Sequence, residues 1–485
     1  MDEFSWYALA AVVLHWSAVV GFSIRVIMRR RPVGVLLAWI AIILSVPVVG
    51  ILLYLFLGEN RVSTRYLRRG EAIQVQYLQW KQSLSRHYPA DLSRLHPEAL
   101  PLQQQALSLC GFPVIPGNRV ELLTDFETAF RSLIRDIRHC RSSCHLEFYI
   151  WQTGGLVDEV QAALFDAVKR GVSCRVLLDA VGSKPFLNSA SAAQFRSAGV
   201  ELGVSLPVGP LTALVSRADL RNHRKVVVID GEIAYTGSQN LVDPRFFKQD
   251  EDVGQWIDAM VRIEGPVVEA FAGNFIQDWE VVTGVGFKYF EGTTDLKPLD
   301  VKGSALVQLV PSGPQPKPLA ILQLVLATIY SARRELIITT PYFVPDESVL
   351  TALVSAAHRG VNVTVIIPEK NDSRLVNYAS RAVFDDLLSE GVRIATFRGG
   401  LLHTKSISVD GEYCMFGSLN LDMRSLWLNF EMSLYLYDQE LVSQVRAMQM
   451  AYLQQCELVD PLAIGQRSLV QRFAENAVHL LAPLL

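Results

Sequence analysis

One polar motif occurs twice in this chain, and its two copies start 180 residues apart, at His223 and His403. Each copy reads H-x-K-x4-D-x6-G-S-x-N. A single His-Lys pair on a strand carries little information, but the whole pattern twice in matching contexts indicates a duplicated domain. The motif residues are His223, Lys225, Asp230, Gly237, Ser238 and Asn240 in the first copy, and His403, Lys405, Asp410, Gly417, Ser418 and Asn420 in the second.

The motif predicts a buried strand with a polar end. Val226 to Ile229 are apolar and β-branched, which favours a strand covered on both faces. Because side chains alternate along a strand, His223 and Lys225 share one face. Asp-Gly is a hairpin signal, and the following Gly-Ser pair offers backbone N–H groups with little steric cover. An anion site that contains a nucleophile is therefore expected. The predicted phosphate-binding residues are Ser238, Ser418, Asn240 and Asn420.

Two copies suit the chemistry of a phosphate diester. In-line displacement at phosphorus needs a nucleophile on one side and a proton donor on the other. We therefore expect the two histidines to face each other across one pocket. No metal is required, since the two lysines can stabilise the phosphoryl charge, and no cofactor is expected.

The sequence around each motif also repeats. A helix near 125–141 leads to a strand at 145–151, and a helix near 157–169 leads to a strand at 174–178. The second half has the same order, and its members are a helix near 318–332, a strand at 335–340, a helix near 348–358 and a strand at 363–367. Alternating strands and helices predict a largely parallel sheet with both faces covered.

The N-terminal region is strongly apolar. The runs 4–24 and 33–57 are each long enough for a bilayer core of ~30 Å, and they predict a two-helix transmembrane hairpin. A signal peptide would have the opposite charge order. Arginines follow both runs, and both clusters favour the cytoplasm. They cannot both lie there if both helices span the membrane, so either one run is re-entrant or one cluster lies on lipid head groups. The clusters are Arg25, Arg29, Arg30 and Arg31, then Arg61, Arg65, Arg68 and Arg69.

Length and composition agree with a membrane protein. The chain has 485 residues, half of them hydrophobic, with a mean hydropathy of +0.24 and a formal net charge of -3. The near balance of charge argues against a nucleic-acid partner. The six cysteines form no C-x2-C pair, so a zinc site is not expected. The predicted segments are a hairpin at 1–58, a connector at 59–116, domains at 117–295 and 296–460, and an amphipathic tail at 461–485.

The paired motif resembles the His-Lys-Asp signature of the phospholipase D superfamily. The hairpin, the connector and the stretches Phe148–Trp151, Thr340–Phe343 and Asp422–Glu431 resemble the bacterial cardiolipin synthases of that superfamily. The resemblance implies an α/β fold with two tandem phospholipase D-like α/β/α domains related by a pseudo-twofold axis. It also implies a multi-pass protein of the bacterial inner membrane that acts on phosphatidylglycerol and other phospholipids.

The resemblance further implies a transphosphatidylation. A histidine attacks one phosphatidylglycerol, glycerol leaves, and a second phosphatidylglycerol takes the phosphatidyl group to give cardiolipin. His223 is expected to be the nucleophile and His403 the general acid and then base, although the pseudo-symmetry makes this assignment reversible. Glu431 is expected to orient His403, and Asp258 to orient His223. The predicted catalytic set is His223, Lys225, Asp230, His403, Lys405 and Asp410, in which the aspartates fix the turn and the lysine.

Three alternatives remain open at this stage. A membrane phospholipase D would use the same motif and pass the phosphatidyl group to water. A nuclease on the same fold is disfavoured by the charge and the apolar N-terminus. An inactive lipid-binding scaffold would not need two intact motifs. The sequence leaves open the oligomeric state and the side of the membrane that the catalytic domains face.

Overall fold

The computed structural model describes residues 3–29, 33–59, 64–209, 217, 219–314, 317 and 319–482. It divides into two compact units, residues 1–68 with 208–220 and residues 69–207 with 221–485. The predicted loop residues Arg30, Arg31 and Pro32, the arginine at 61 and the last three residues of the chain lie outside the described residues.

In the first unit, the two apolar runs form different structures. The first is one helix, α1 (Glu3–Ile27). The second is divided into α2 (Val33–Ser45), α3 (Pro47–Leu53) and a π-helical turn (Tyr54–Gly58). Among the described residues, Leu9–Ile27 is the one stretch long and apolar enough to cross a membrane. The predicted two-helix transmembrane hairpin and the multi-pass topology are therefore not confirmed.

The second unit is built on a sheet of fifteen strands within the described residues. In order across the sheet, the strands are β19, β13, β12, β10, β15, β16, β18, β9, β1, β8, β6, β5, β2, β3 and β4. Their bounds in chain order, with those of four short strands outside the sheet (β7, β11, β14 and β17), are β1 (Val114–Leu123), β2 (Ser143–Phe148), β3 (Ser173–Asp179), β4 (Glu201–Ser205), β5 (Lys225–Ile229), β6 (Ile233–Gly237), β7 (Trp256–Ile257), β8 (Met260–Glu264), β9 (Ala305–Ser312), β10 (Glu335–Thr339), β11 (Phe343–Val344), β12 (Asn362–Pro368), β13 (Arg393–Phe397), β14 (Leu401–Leu402), β15 (Ser406–Val409), β16 (Tyr413–Gly417), β17 (Leu421–Asp422), β18 (Glu431–Leu436) and β19 (Cys456–Leu458).

The strand order repeats about the contact between β1 and β9. In each half three strands pair in parallel, β2–β3–β4 and β10–β12–β13. The motif strands β5 and β15 then join them antiparallel, and antiparallel strands continue to the middle of the sheet. The α/β prediction is confirmed, but the expectation of a largely parallel sheet is wrong. The motif hairpins, which Asp-Gly turns close, reverse the chain direction in each half.

Helices cover both faces of this sheet, and the predicted ones occur close to their expected positions. For example, Asp125 caps the helix Phe126–His139 by accepting a hydrogen bond from the Thr128 N–H. The helices of this unit are Thr64–His87 (which begins in the first unit), Ala99–Cys110, Phe126–His139, Leu156–Lys169, Lys184–Leu187, Ala190–Ala198, Val267–Thr283, Phe287–Phe290, Ala320–Ser331, Glu347–His358, Arg374–Arg381, Phe384–Ser389, Met423–Trp427, Gln439–Leu453, Pro461–Gly465 and Leu469–His479.

The C-terminal helix Leu469–His479 has a buried side and an exposed side. Glu475 is buried and pairs with Arg467 on its protein-facing side. Leu469 and Phe473 are exposed on the helix surface. The helix Leu469–His479 therefore packs against the protein through one face and presents apolar side chains on another.

Candidate active site

The structure positions each motif histidine through the opposite half of the sheet. The backbone N–H of His223 donates to the carbonyl of Phe430 at 2.8 Å, and that of His403 donates to the carbonyl of Ile257 at 2.8 Å. The short strands β14 and β7 pair in parallel immediately before His403, and Asn222 forms an isolated bridge with Phe430 immediately before His223. Each half thus holds the start of the other half's motif.

Each histidine also contacts a carboxylate from the opposite half of the sheet. Nδ1 of His223 lies 2.9 Å from Oε2 of Glu431, and Nδ1 of His403 lies 2.6 Å from Oδ1 of Asp258. The predicted pairing, Glu431 with His403 and Asp258 with His223, is therefore wrong. The residue before each carboxylate pairs with the residue before the other half's histidine, Phe430 with Asn222 and Ile257 with Leu402, and this places each carboxylate beside that histidine.

The motif serines support these carboxylates. Ser238 Oγ donates to Asp258 Oδ1 at 2.6 Å, and Ser418 Oγ donates to Glu431 Oε2 at 2.5 Å. Each hydroxyl also accepts a backbone N–H, from Ala259 and Met432 respectively. The prediction that Ser238 and Ser418 bind phosphate is therefore wrong, because both hydroxyls are already occupied.

Two buried lysines lie beside the histidines. Lys225 Nζ donates to the carbonyl oxygen of His223 at 2.6 Å, and Lys405 makes the same contact with His403. Both side chains are almost wholly buried. Burial lowers the pKa of Lys225 to about 8, although Glu431 and Asp258 oppose the shift. Burial also lowers the pKa of Lys405 well below its usual range, and the charge of Lys225 lowers it further.

These electrostatic interactions link the two halves into one site. Each lysine interacts with both carboxylates, Glu431 and Asp258. The charge of Lys405 also lowers the pKa of His223, and that of Lys225 lowers the pKa of His403. The two histidines, the two lysines, Glu431 and Asp258 therefore form a single cluster at the boundary between the halves.

The carboxylates fix the tautomer of both imidazoles. A carboxylate accepts a hydrogen bond, so Nδ1 of each ring carries the proton and Nε2 carries the lone pair. Burial lowers the pKa of both His223 and His403 to about 4, despite the opposing effect of the paired carboxylates. Burial disfavours ionisation of Asp258, yet the contact with His403 holds the pKa of that carboxyl at about 2. At neutral pH the site thus presents two unprotonated Nε2 atoms.

The motif asparagines differ between the halves. Asn240 Oδ1 accepts the backbone N–H of Ile150 at 3.2 Å, which leaves its amide N–H groups as donors. The Asn420 side chain instead hydrogen-bonds the buried carboxyl of Asp422, whose pKa burial raises to about 6. The asparagines were predicted to bind phosphate, and this geometry fits Asn240 as a donor to an anion.

The motif aspartates lie away from this cluster. Asp230 directly follows β5, and its carboxylate accepts the backbone N–H groups of Arg141, Ser142 and Ser143. Asp410 accepts those of Arg333, Arg334 and Glu335 in the same way. Both have a positive φ, 54° and 55°, in their turns. The prediction that they belong to the catalytic set and fix the lysine is wrong, because each lies at the opposite end of its strand, and only the predicted turn role fits.

Aromatic rings that the sequence analysis did not assign to the site enclose the imidazoles. The rings of Tyr149 and His223 are 5.1 Å apart, and those of Trp256 and His403 are 4.4 Å apart. Tyr342 lies 6.4 Å from His403 and donates to Asp372. Tyr149 directly follows β2, Trp256 begins β7 and Tyr342 directly precedes β11, so an aromatic at the end of a strand is the signal that could have identified each of them.

Comparison with known proteins gives the family. The family model described as "Cardiolipin synthase, PLD-like domain" matches residues 133–279 and 325–450. The model "Phospholipase_D-nuclease N-terminal" matches residues 18–59. Cardiolipin synthase A of Edwardsiella ictaluri is 42% identical over 99% of this chain and 98% of its own length. This chain belongs to the cardiolipin synthase family of phospholipase D-like proteins.

Further relatives agree with this assignment. Cardiolipin synthase A of Escherichia fergusonii is 42% identical over 97% of both chains. The crystal structure of phosphatidylserine synthase from Haemophilus influenzae covers 79% of this chain and 100% of its own, with 17% identity and a TM-score of 0.57. That likeness supports the phospholipase D-like fold. Family membership confirms the predicted cardiolipin synthase function and the predicted phosphatidyltransferase class.

Proposed function

We propose that this cardiolipin synthase transfers a phosphatidyl group from one phosphatidylglycerol to another through a phosphatidyl-histidine. The observation that carries the proposal is the crossed pair of imidazole–carboxylate contacts, at 2.9 Å for His223 and 2.6 Å for His403. Two imidazoles that share one cluster, each with Nε2 available, can act on opposite sides of one phosphorus atom.

In the first step, Nε2 of His223 attacks phosphorus and the bond to the glycerol oxygen breaks. His403, protonated on Nε2, gives that proton to the departing oxygen, so that free glycerol leaves. The anionic diester raises the pKa of His403 and opposes the effect of burial, which supplies the protonated form in the substrate complex. Glu431 stabilises the positive charge that His223 acquires when its nitrogen bonds to phosphorus.

In the second step, His403 acts as the base. Its neutral Nε2 takes the proton from the head-group hydroxyl of a second phosphatidylglycerol, whose oxygen attacks phosphorus. The P–N bond to His223 breaks, cardiolipin leaves, and the pair of histidines returns to its starting proton count. Lys225, Lys405 and Asn240 stabilise the phosphoryl oxygens in both steps.

We further propose that the enzyme works at the bacterial inner membrane. Helix α1 supplies the apolar length for one crossing. The exposed residues Leu469 and Phe473 of the C-terminal helix provide a second apolar contact with the membrane surface. Phosphatidylglycerol is then both donor and acceptor, and other phospholipids compete as donors.

The test uses the full chain in detergent micelles with phosphatidylglycerol as the sole lipid. We expect equal amounts of cardiolipin and glycerol, measured by mass spectrometry, without any nucleotide. His223→Ala should abolish both products. His358→Ala is the matched control, because the His358 side chain is 60% exposed and pairs with Glu390 on the surface. Phosphatidic acid as the main product, or a requirement for CDP-diacylglycerol, would contradict the proposal.

A further inference from the structure

The second apolar run is broken in its middle. Helix α2 ends at Ser45 and α3 begins at Pro47, while Val46 between them has φ -136° and ψ 74°. Proline lacks an N–H, and its ring clashes with the carbonyl of the preceding turn, so it ends a helix and begins another. The chain therefore changes direction at this point.

After the break, the run returns along itself. A methyl group built on Gly50 would lie 2.7 Å from the carbonyl oxygen of Ile42, so the two backbones are in direct contact. The rings of Trp39 and Tyr54 are 5.4 Å apart. In a straight helix, positions eight and fifteen residues apart are separated by about 12 Å and about 22 Å. Helices α2 and α3 thus form a tight helical hairpin.

The end of this hairpin meets the end of α1. Arg25 Nε lies 2.6 Å from Glu59 Oε1, and Arg25 Nη2 lies 2.9 Å from Glu59 Oε2. Arg29 contacts the same carboxylate at 3.5 Å, and Tyr54 donates to it at 3.0 Å. Arg25 belongs to the last turn of α1, so the residue that follows the hairpin is level with the C-terminal end of α1.

The helix lengths agree with this geometry. With 25 residues, α1 is about 37 Å long, enough for a bilayer core of ~30 Å. With 13 residues, α2 is about 20 Å long, and α3 with its π-helical turn is about as short. Neither α2 nor α3 is long enough to cross the bilayer core. Together they are long enough to enter the membrane and return to the same face.

We infer that residues 33–58 form a re-entrant hairpin that enters and leaves the membrane on its cytoplasmic face. The chain then crosses the bilayer once, through α1, with its N-terminus outside and the two motifs in the cytoplasm. This inference rests on the proposed membrane location. It also explains why arginines follow both apolar runs. With a re-entrant hairpin, both arginine clusters are on the cytoplasmic side of the membrane, as the positive-inside rule requires. Donor and acceptor lipids are accordingly drawn from the cytoplasmic leaflet.

Labelling of single cysteines on the full chain tests the topology. One cysteine is inserted after Met1, and the others are Met28→Cys, before the hairpin, and Ala72→Cys, after it. Met28 and Ala72 are both exposed. The unaltered chain measures the background from its own six cysteines, four of which are buried. A membrane-impermeant maleimide is applied to intact spheroplasts and, separately, to permeabilised ones.

The expected result is labelling of the N-terminal cysteine in intact spheroplasts, with Met28→Cys and Ala72→Cys labelled only after permeabilisation. Labelling of Met28→Cys and Ala72→Cys from opposite sides would overturn the re-entrant hairpin. Protection of the N-terminal cysteine, or labelling of all three from outside, would overturn the orientation. Recovery of the protein in the soluble fraction would refute the membrane location itself, a result that fractionation separates from any labelling pattern.

Discussion

The crossed carboxylates predict that replacing Glu431 impairs the histidine of the other motif. Glu431 is fully buried and contacts Nδ1 of His223 at 2.9 Å. In Glu431→Gln the amide oxygen can still accept from His223 and Ser418, so the fold and the tautomer are kept and the negative charge is lost. When His223 bonds to phosphorus its ring becomes positive, and the lost charge is the main difference from the unaltered enzyme.

The size of the effect follows from Coulomb's law. With charge centres about 4–5 Å apart and an effective dielectric constant of about 20, the lost attraction is about 3–4 kcal/mol. That corresponds to a reduction of about 10²–10³-fold in the rate of phosphatidyl-histidine formation. Asp258→Asn should have an effect of similar size, but on the proton transfers of His403.

A substrate with a good leaving group separates the two roles. Phosphatidyl-p-nitrophenol needs no general acid, because nitrophenolate leaves without a proton. Rapid mixing with the full-length enzyme in micelles then measures the burst of nitrophenolate. We expect His403→Ala and Asp258→Asn to keep the burst, and His223→Ala and Glu431→Gln to lose it.

The crossed pairing would be refuted if each carboxylate variant behaved like the variant of the histidine in its own half. If Glu431→Gln behaves like His403→Ala while Asp258→Asn behaves like His223→Ala, the crossed pairing does not operate in catalysis. A different result is that His403→Ala and Asp258→Asn lose the burst while His223→Ala and Glu431→Gln keep it. In that case the crossed pairing is correct and the nucleophile is His403. Circular dichroism of each variant checks that the fold is retained.

Three further predictions concern pH, the turn and the serines. The pH dependence is measured on the burst with phosphatidyl-p-nitrophenol, because that substrate needs no proton from His403. The pKa of His223 is lowered to about 4 and that of Lys225 to about 8, so the second-order rate constant of the burst should fall as pH drops through the first value, where Nε2 gains a proton, and fall again as pH rises through the second, where the ammonium is lost. A flat profile from pH 7 to 9 would contradict the role of the lysine. Asp230→Ala should lower the free energy of unfolding, measured in urea, by about 2–3 kcal/mol, since three backbone N–H groups lose a charged acceptor. Activity in the micelle assay at low temperature should change by less than about threefold. A large loss of activity in a variant that stays folded would count against a purely structural role for Asp230. Ser418→Ala should slow the burst about tenfold, because Glu431 loses one hydrogen-bond donor. Ser433→Ala is the control and should not slow the burst, because the buried Ser433 hydroxyl has no hydrogen-bond partner among the described residues. Equal rates in the two variants would show that the Ser418 hydrogen bond is unimportant.

Much of the fold could be predicted from local patterns. The strand before each Asp-Gly turn and the helices before β2 and β10 follow directly from hydrophobic periodicity and capping residues such as Asp125. The pairing of carboxylates could not be predicted in this way. Glu431 and His223 are separated by 208 positions, and their contact depends on the pairing of Asn222 with Phe430 between the halves, which leaves no periodic signal in the sequence.

The serines and the second apolar run illustrate different limits. A serine beside glycine is compatible with an anion site or with a bond to a buried carboxylate, and only the position of Asp258 distinguishes the two. In the apolar run, hydropathy averages over Pro47 and predicts one long helix. The proline itself is the local signal for the break, whereas the return of the chain shows only in tertiary contacts, such as that of Gly50 with Ile42.

The exchange of carboxylates between the halves makes each half incomplete as a catalyst. A polypeptide ending before β9 would keep His223 and lose Glu431, and its complement would keep His403 and lose Asp258. Neither fragment could turn over lipid alone, yet their mixture would regain both imidazole–carboxylate pairs if the fragments reassociate. An ancestor with a single motif would have faced the same requirement, and could have met it as a symmetric dimer before duplication joined the two copies.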